Sequence, residues 1–329
     1  MALKTGSTPK KQTKSGTASN DKISGILLKN NLVPEEMKGT DKFLDVVNWN
    51  IRYFHNRDSA RVKMVTDILS ELNADVIVLM EILEDSLAEV VAGLGRRKAG
   101  HYDVRYGTTG GNQRIAMLWD LDWVRSKDTV AEVFSKGDVV TREGKEVFPR
   151  LPLRGYFTSL SYDRKKEPFD FQLLGVHLKS QRGGGGEQRE MAADTLAKWL
   201  DKEAPKCDAD VIIAGDWNEP PSSPTWKPFH LLEKQGKAAF KKINDDTNIS
   251  HLMYRNKSDV GSRLDLQCMS VSTLPDMKER PTVVQWKPLM EMLDASPEAK
   301  KIKEMIKRIS NDVSDHMPVV SRFYFTAQD

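Results

Sequence analysis

Between residues 43 and 325 the chain alternates short apolar runs with longer amphipathic stretches. Phe43-Leu44-Asp45-Val46-Val47-Asn48-Trp49-Asn50-Ile51 predicts a strand that ends near Asn50 and Arg52. Ser59 then predicts the cap of a helix whose apolar positions Val62, Val65, Leu69 and Leu72 step by three and four, a single buried stripe. Val76 to Met80 reads as a second buried strand with Glu81 at its C-terminal end, so strand, helix and strand form a βαβ unit. A second helix is predicted from Asp85 to Leu94, with Leu87, Val90, Val91 and Leu94 turned inward.

A glycine-rich break at residues 107–111 precedes three β-like runs, Arg114 to Trp119, Leu151 to Ser161 and Phe169 to Leu178, two of them expected side by side and antiparallel. Ser180 to Gly186 ends in four consecutive glycines and predicts a mobile loop, because glycine loses the most backbone entropy on ordering. A helix from Glu187 to Lys202 follows, with Met191, Thr195, Leu196, Trp199 and Leu200 on its buried side. Val211 to Ala214 then forms a buried strand, from which Gly215-Asp216-Trp217-Asn218 break out before Pro220 and Pro221 forbid continuation. A helix near Trp226 to Gln235 and strands at Arg263 to Val271 and Thr282 to Trp286 come next. From Pro297 to Ile309, Ile302, Met305, Ile306 and Ile309 share one side, and Lys300, Lys301, Lys303, Lys307 and Arg308 lie elsewhere. That stretch reads as a surface helix with a solvated charged face, and secondarily as a contact for substrate or membrane. The last element leads from Val319-Val320 into Phe323-Tyr324-Phe325, and no solenoid-type repeat is visible.

Composition narrows the picture. With 329 residues at 39% hydrophobic content, the chain can bury one large core or two smaller ones. No apolar run approaches the roughly 20 residues of a bilayer span, so stable membrane insertion is not expected. Residues 1–40 set Lys4, Lys10, Lys11 and Lys14 among Ser, Thr and Gly, and predict a disordered basic tail, solvated or serving as a weak nucleic-acid tether. The tail lacks the apolar block of a secretory signal, which makes the cytoplasm the expected location. Cys207 and Cys268 stand in no metal-type spacing, against zinc and against a disulfide framework. A net charge of +3 from 50 basic and 47 acidic residues excludes a strongly basic architectural nucleic-acid binder. Any polyanion site must be a local patch.

Polar residues recur where the predicted strands end: Asn50, Glu81, His177, Asp216 with Asn218, Asp265, and Asp315 with His316. Extended geometry points Asp216 and Asn218 the same way, an acceptor beside an amide, suited to a water or a phosphate. Singly, each has a plain structural explanation. His177 could be a core histidine bonded to a carbonyl, Glu81 a helix cap, Asp265 a partner for Arg263, and Asp315 a turn residue. Together and in order, these residues resemble the endonuclease/exonuclease/phosphatase superfamily of deoxyribonuclease I-like proteins. The resemblance spans residues 43 to 325, so residues 41–329 are expected to form one catalytic domain behind the tail.

The resemblance implies an α/β fold, a four-layer αββα sandwich with two mixed β-sheets packed face to face and helices outside. It implies Mg²⁺, or Mn²⁺, with Glu81 as the carboxylate ligand and Asn50 and Asp315 around the ion. Asp216 would orient or deprotonate the attacking water, Asn218 would donate to a phosphate oxygen, and His316, held by Asp265, would stabilise the transition state. His177 would serve as proton donor or phosphate ligand. The family supports that histidine with a carboxylate, and Gln113 stands in its place here. Met80 likewise replaces the glutamine the family usually shows before the metal glutamate, and altered packing is the expected result. Arg114, Lys179 and Arg182, together with Arg189, are candidates for phosphate-backbone contact. The expected activity is that of a monomeric nuclease hydrolysing DNA, ahead of RNA, with little sequence preference. The alternatives are a phosphoinositide, sphingolipid or nucleotide phosphoesterase, and a catalytically silent binding module that kept the fold. The silent module fits poorly with a full set of expected catalytic positions.

Overall fold

In the computed structural model, which describes residues 32–160, 165–295 and 298–328, strands β1 (Leu44–Phe54) and β2 (Val76–Ile82) pair in parallel and are joined by helix α1 (Ser59–Leu72). Asp58, rather than Ser59, caps α1, its carboxylate accepting from the Ala60 and Arg61 N–H groups at 3.1 Å. The predicted stripe Val62, Val65, Leu69 and Leu72 is buried. Helix α2 (Ala88–Arg96) starts later than its apolar pattern implied, because Asp85 takes a left-handed conformation and Ser86 closes a turn onto Leu83.

The chain continues through β3 (Tyr102–Tyr106), β4 (Arg114–Asp120), β5 (Val124–Ser126), β6 (Ala131–Glu132), β7 (Leu153–Ser159) and β8 (Asp170–His177). Helix α3 (Gly186–Lys198) runs on into a π turn at Trp199–Glu203, and β9 (Val211–Asp216) follows. After α4 (Lys227–Lys234) and β10 (Ala238–Ala239), β11 (His251–Asn256) and β12 (Asp259–Ser262) form a separate hairpin. Strands β13 (Asp265–Ser270) and β14 (Met277–Val283), helices α5 (Lys287–Asp294) and α6 (Ala299–Asp312), and β15 (Val319–Phe323) complete the chain. Strand β14 thus begins upstream of the expected Thr282 to Trp286 run and overlaps it at Thr282 and Val283.

One sheet has the order β14-β15-β1-β2-β4-β3 and the other β10-β13-β9-β8-β7-β5, with β6 also on β7. The β1·β2 and β8·β9 pairs are parallel and the other pairs in these sheets antiparallel, so both sheets are mixed. Strand alternation sorts the core into layers. Leu44 and Val46 of β1 meet Phe171, Leu173, Ile212 and Met269 between the sheets, whereas Val47 and Trp49 face α1 and α6. On the far side, Leu174, Val176, Ile213 and Cys268 pack beneath α3 and α4. The result is the expected αββα sandwich.

Of the predicted tail, residues 1–31 lie outside the described residues. Residues 32–40 belong to the domain: Leu32 and Val33 are buried, and Arg322 donates to the carbonyls of Glu36 and Lys38 at 3.2 and 2.6 Å. Helix α6 buries Ile302, Ile306 and Ile309 and leaves Lys300, Lys301, Lys303 and Lys307 exposed, the solvated-face arrangement.

At the start of β1, burial pushes the Asp45 carboxyl up to about 7, outweighing the Arg322 guanidinium 3.0 Å away. Burial also raises Asp75 and Asp120. A carboxyl held above its ordinary 3.8 keeps its proton more tightly when folded. Its stabilising contribution is therefore complete below that value and lost as pH rises toward about 7. Denaturant midpoints are expected to fall between pH 4 and 8, with a shallower fall for Asp45→Asn. A slope unchanged by that substitution would remove Asp45 as its source.

Candidate active site

Three adjacent strands of the second sheet bring polar residues into one row. His177 on β8 stands opposite Asp216 on the parallel β9, and Asp265 on β13 stands opposite Asp216 from the other side. Gly215 permits the approach, since a Cβ there would lie 1.9 Å from the Val176 carbonyl oxygen. Beyond Asp216 the chain turns sharply. Trp217 is driven into an aromatic cluster of Trp226, Phe229 and Phe240, and Asn218, at φ 57°, closes its N–H onto Asp216 Oδ1 at 2.9 Å.

The first sheet supplies Asn50 and Glu81 from β1 and β2. Between Asn50 and Phe54 the β1·β2 register slips, and Arg52 and Tyr53 take left-handed conformations at φ 44° and 46°. Such backbone costs roughly 1–3 kcal/mol per residue and persists only where surrounding bonds enforce it. Here Asn50 Oδ1 accepts from the Arg52 N–H at 3.0 Å and Glu81 Oε2 from the Tyr53 N–H at 3.1 Å. The buried Arg61 guanidinium donates to the carbonyls of Ile51, Arg52 and Val313, and Ser314 Oγ donates to the Asn50 carbonyl at 2.7 Å.

The two sets meet through Asn50, whose Nδ2 lies 3.3 Å from Glu81 Oε1 and 3.1 Å from Asp216 Oδ2. His177 Nε2 is 3.5 Å from Asp216 Oδ2 and 3.9 Å from Glu81 Oε1. His316 sits in the segment before β15, with Nδ1 2.8 Å from Asp265 Oδ2 and Nε2 3.9 Å from Asp216 Oδ2. Glu81, His177, Asp216, Asn218, Asp315 and His316 line one cleft of about 330 Å³, with Arg182 at its rim and Asn50 and Asp265 buried beneath.

Their surroundings push the two histidines in opposite directions. Burial disfavours a charged His316, but Asp265 and Asp216 overcome it and hold the ring up at about 10. These two carboxylates favour the imidazolium form of His316 at neutral pH. His177 is driven well below 6.5 by burial, Arg150 and His316. It is neutral, and its Nδ1 has no hydrogen-bond partner, although Gln113 lines the same cleft. Gln113 therefore makes no hydrogen bond to that nitrogen. Burial, with Asp265 adding to it, pushes Asp216 up to about 7 while His316 pulls the other way.

Asp216, Asp265 and His316 each offer an atom within 4.8 Å of the others. A protonated His316 bonded to Asp265 nevertheless repels a cation, so this trio is a poor cage. Glu81 is better placed, because its Oε1 and Asp216 Oδ2 converge on the single Asn50 amide and Glu81 faces the cleft. Two carboxylates opening on a wet cleft suit a hard divalent ion that keeps several waters.

Several expectations change. Asn50 presents its amide nitrogen, not an oxygen, to Glu81 and Asp216, because Oδ1 is engaged by Arg52. Asp315 Oδ2 faces Arg52 Nε at 3.5 Å. One amide proton of Asn218 is taken by the Leu178 carbonyl at 3.0 Å. Arg114 is directed to Glu84 and the Gly107 and Gly111 carbonyls, and Lys179 to Ser180 and the Arg182 carbonyl, so neither lines the cleft. Arg189 is buried and ties the glycine loop down through Glu219 and the Lys179 and Ser180 carbonyls. Arg263 makes no hydrogen bond to Asp265, which serves His316 instead.

Sequence reasoning missed Arg150 and His251. The buried Arg150 lines the cleft, donates to the Leu178 carbonyl at 3.4 Å and leaves Nε unpartnered. Its signal was an arginine inside the proline-flanked apolar run Phe148-Pro149-Arg150-Leu151-Pro152. His251, on the unpredicted β11 hairpin, packs its ring 4.6 Å from that of His316.

Two sheets whose strand ends meet over paired carboxylates, histidines and a buried arginine define a phosphate-ester hydrolase of the sandwich class. The chain belongs to the endonuclease/exonuclease/phosphatase family, whose sequence profile matches residues 47–232. No curated protein matches it by sequence. Among solved structures it is similar to a member of this family from Bacteroides thetaiotaomicron, at 17% identity and TM-score 0.58 over 87% of this chain and 96% of the other. It is also similar to the human Nocturnin catalytic domain with a bound sulfate anion, at 15% identity and TM-score 0.54 over 89% and 100% of the two chains. A third similarity is to a mannosyl-6-phosphatase from Bacteroides thetaiotaomicron, at 16% identity and TM-score 0.55 over 84% and 98%.

Imidazole titration by NMR in the metal-free protein is expected to find His316 still protonated at pH 8 and His177 neutral at pH 6. Replacing Asp265 by Asn removes the closest charge holding that proton and should lower the His316 pKa by about one unit or more. An unchanged His316 titration would refute this pairing.

Proposed function

We propose that the chain is a divalent-cation-dependent phosphodiesterase that hydrolyses nucleic-acid strands, with DNA as the first substrate. The observation carrying this reading is the row His177–Asp216–Asp265 with the His316 imidazolium and buried Arg150 facing the same cleft. Acceptor and cations are thereby set around one cleft.

Asp216 acts as the base. Its Oδ1 is fixed by the Asn218 N–H and its Oδ2 by Asn50, and a carboxyl titrating near 7 accepts a proton from water at physiological pH. The water oxygen attacks phosphorus, its proton passes to Asp216, the ester P–O bond breaks, and the leaving oxygen takes a proton from solvent. His316 presents Nε2–H to the phosphoryl oxygen, with Asp265 fixing the ring, and Arg150 adds a second cation from below. Both are held in place before charge develops, which gives electrostatic stabilisation its leverage. A Mg²⁺ or Mn²⁺ ion held by Glu81 beside Asp216 would supply charge neutralisation at the same phosphate. Arg52 and Arg182 at the rim suit a polyanion that continues beyond the scissile bond.

Supercoiled plasmid, single-stranded DNA, RNA, a phosphoinositide panel and mannose 6-phosphate, each with Mg²⁺ and with EDTA, test the proposal. Metal-dependent cleavage of strands is expected, and phosphate release from lipid or sugar alone would sink it. Asp216→Ala should lower turnover by about 10²–10⁴-fold. Arg150→Met should cost about 10²–10³-fold. Glu81→Ala should be partly rescued by excess metal, and unchanged metal dependence would remove Glu81 as a ligand. His177→Ala should cost less than His316→Ala, because the neutral ring carries no charge to the phosphate.

A further inference from the structure

Tyr53 and Met253 are both large exposed side chains on this cleft, at 59% and 40% exposure. A large apolar side chain left in water at a scattered surface position needs no explanation. These two are not scattered. Met253 follows Leu252, whose N–H donates to the Asp315 carbonyl at 2.7 Å, and Asp315 faces Arg52, the neighbour of Tyr53. Both side chains line the one cleft, and the segments that carry them are tied to each other through Asp315. Tyr53 is also held there against its backbone preference, at φ 46°, by the Glu81 carboxylate.

We propose that Tyr53 and Met253 form a base-binding edge that restricts the substrate to nucleotides with an unpaired base, the base lying against them while its phosphate rests on Arg150 and His316. This rests on the phosphodiesterase reading and names the substrate class of the same site. A phosphate ligand carrying a flat apolar group satisfies both halves of the cleft, and a sugar phosphate satisfies only the cationic half. An aromatic ring stacks on any base, and a polarisable thioether packs against its edge. Base faces inside a duplex are covered by their neighbours, so the base must come from a single strand, an end or a loop.

The test is calorimetric titration of the full chain carrying Asp216→Asn, in Mg²⁺, with thymidine 5′-monophosphate and with deoxyribose 5-phosphate. The nucleotide should bind about tenfold or more tightly than the sugar phosphate. Adding Tyr53→Ala or Met253→Ala should remove most of that difference while leaving sugar-phosphate affinity in place, and Tyr53→Phe should retain it. Equal affinity for the two ligands, absence of binding by both included, overturns the proposal, as does a difference that survives both alanine substitutions. Binding is read here without turnover. A chain that keeps the base preference but cleaves no strand refutes the hydrolase reading alone, and one that cleaves strands without the preference refutes only the base edge.

Discussion

The arrangement depends on hydrogen bonds that cross between the two sheets through an otherwise apolar interface. Asn48 Nδ2 reaches the Gly215 carbonyl at 3.4 Å, Gln267 Nε2 reaches Asn48 Oδ1 at 3.1 Å, and Ser321 Oγ reaches Gln267 Oε1 at 2.7 Å. Two residues further along β1, Asn50 makes the same crossing to Asp216. Apolar layers can slide over one another with little penalty, but an amide buried without a partner costs several kcal/mol, roughly 2–7 by transfer. Only one placement of the sheets satisfies this seam. In that placement Glu81 of one sheet faces Asp216 and His177 of the other. The polar seam sets the geometry of the cleft, and the apolar core supplies the stability that holds it.

Charge is arranged on the same frame. Asp216 and Asp265 are buried neighbours on paired strands, a combination that isolated carboxylates would resolve by taking up protons. His316, bonded to Asp265 and close to Asp216, offsets part of that pressure, and Arg150 faces the charges of Asp216 and Glu81, yet burial and Asp265 still hold the Asp216 carboxyl up at about 7. The cost of burying these groups is met by the fold before any ligand arrives. A phosphate entering this cleft would meet cations that are already oriented, which sets the cluster apart from an ordinary surface ion pair.

Strand ends were legible in the sequence because the candidate site residues border apolar runs, Asn50, Glu81, His177 and Asp216 after them and Asp265 and His316 before them, and chain order tied them to a family. Val211 to Ala214 and Phe169 to Leu178 announced their strands, and Asp216 and His177 came with them. What the sequence concealed depends on pairing across long separations. The His251–Asn256 and Asp259–Ser262 hairpin lacks a strong apolar alternation; Asp315 holds it from elsewhere in the chain, and Ser250, just before it, closes its base onto Ser262. Arg150 lies in an irregular segment with no period to reveal it. The amide orientation of Asn50 and the diversion of Arg114 to Glu84 are likewise decided by neighbours that spacing does not specify. Residue type and order locate the chemistry, and side-chain direction follows from packing.

Backbone strain completes the connection between fold and site. Among the described residues, seven other than glycine have positive φ, and Arg52, Tyr53, Glu81 and Asn218 of these line the cleft. Each is held by a bond to a side chain of the candidate site: Arg52 by Asn50, Tyr53 by Glu81, and Asn218 by Asp216, while Glu81 is itself engaged by Asn50. The carboxylates and amides of the site thus serve two purposes, binding what enters and restraining the loops that display them. A side chain that orders its own loop loses freedom it would otherwise spend on alternative rotamers, so the strained backbone and the preorganised cleft are one device. Relaxing any of these positions would stabilise the local chain at the expense of the geometry, the exchange expected where a fold stores strain at its reactive edge.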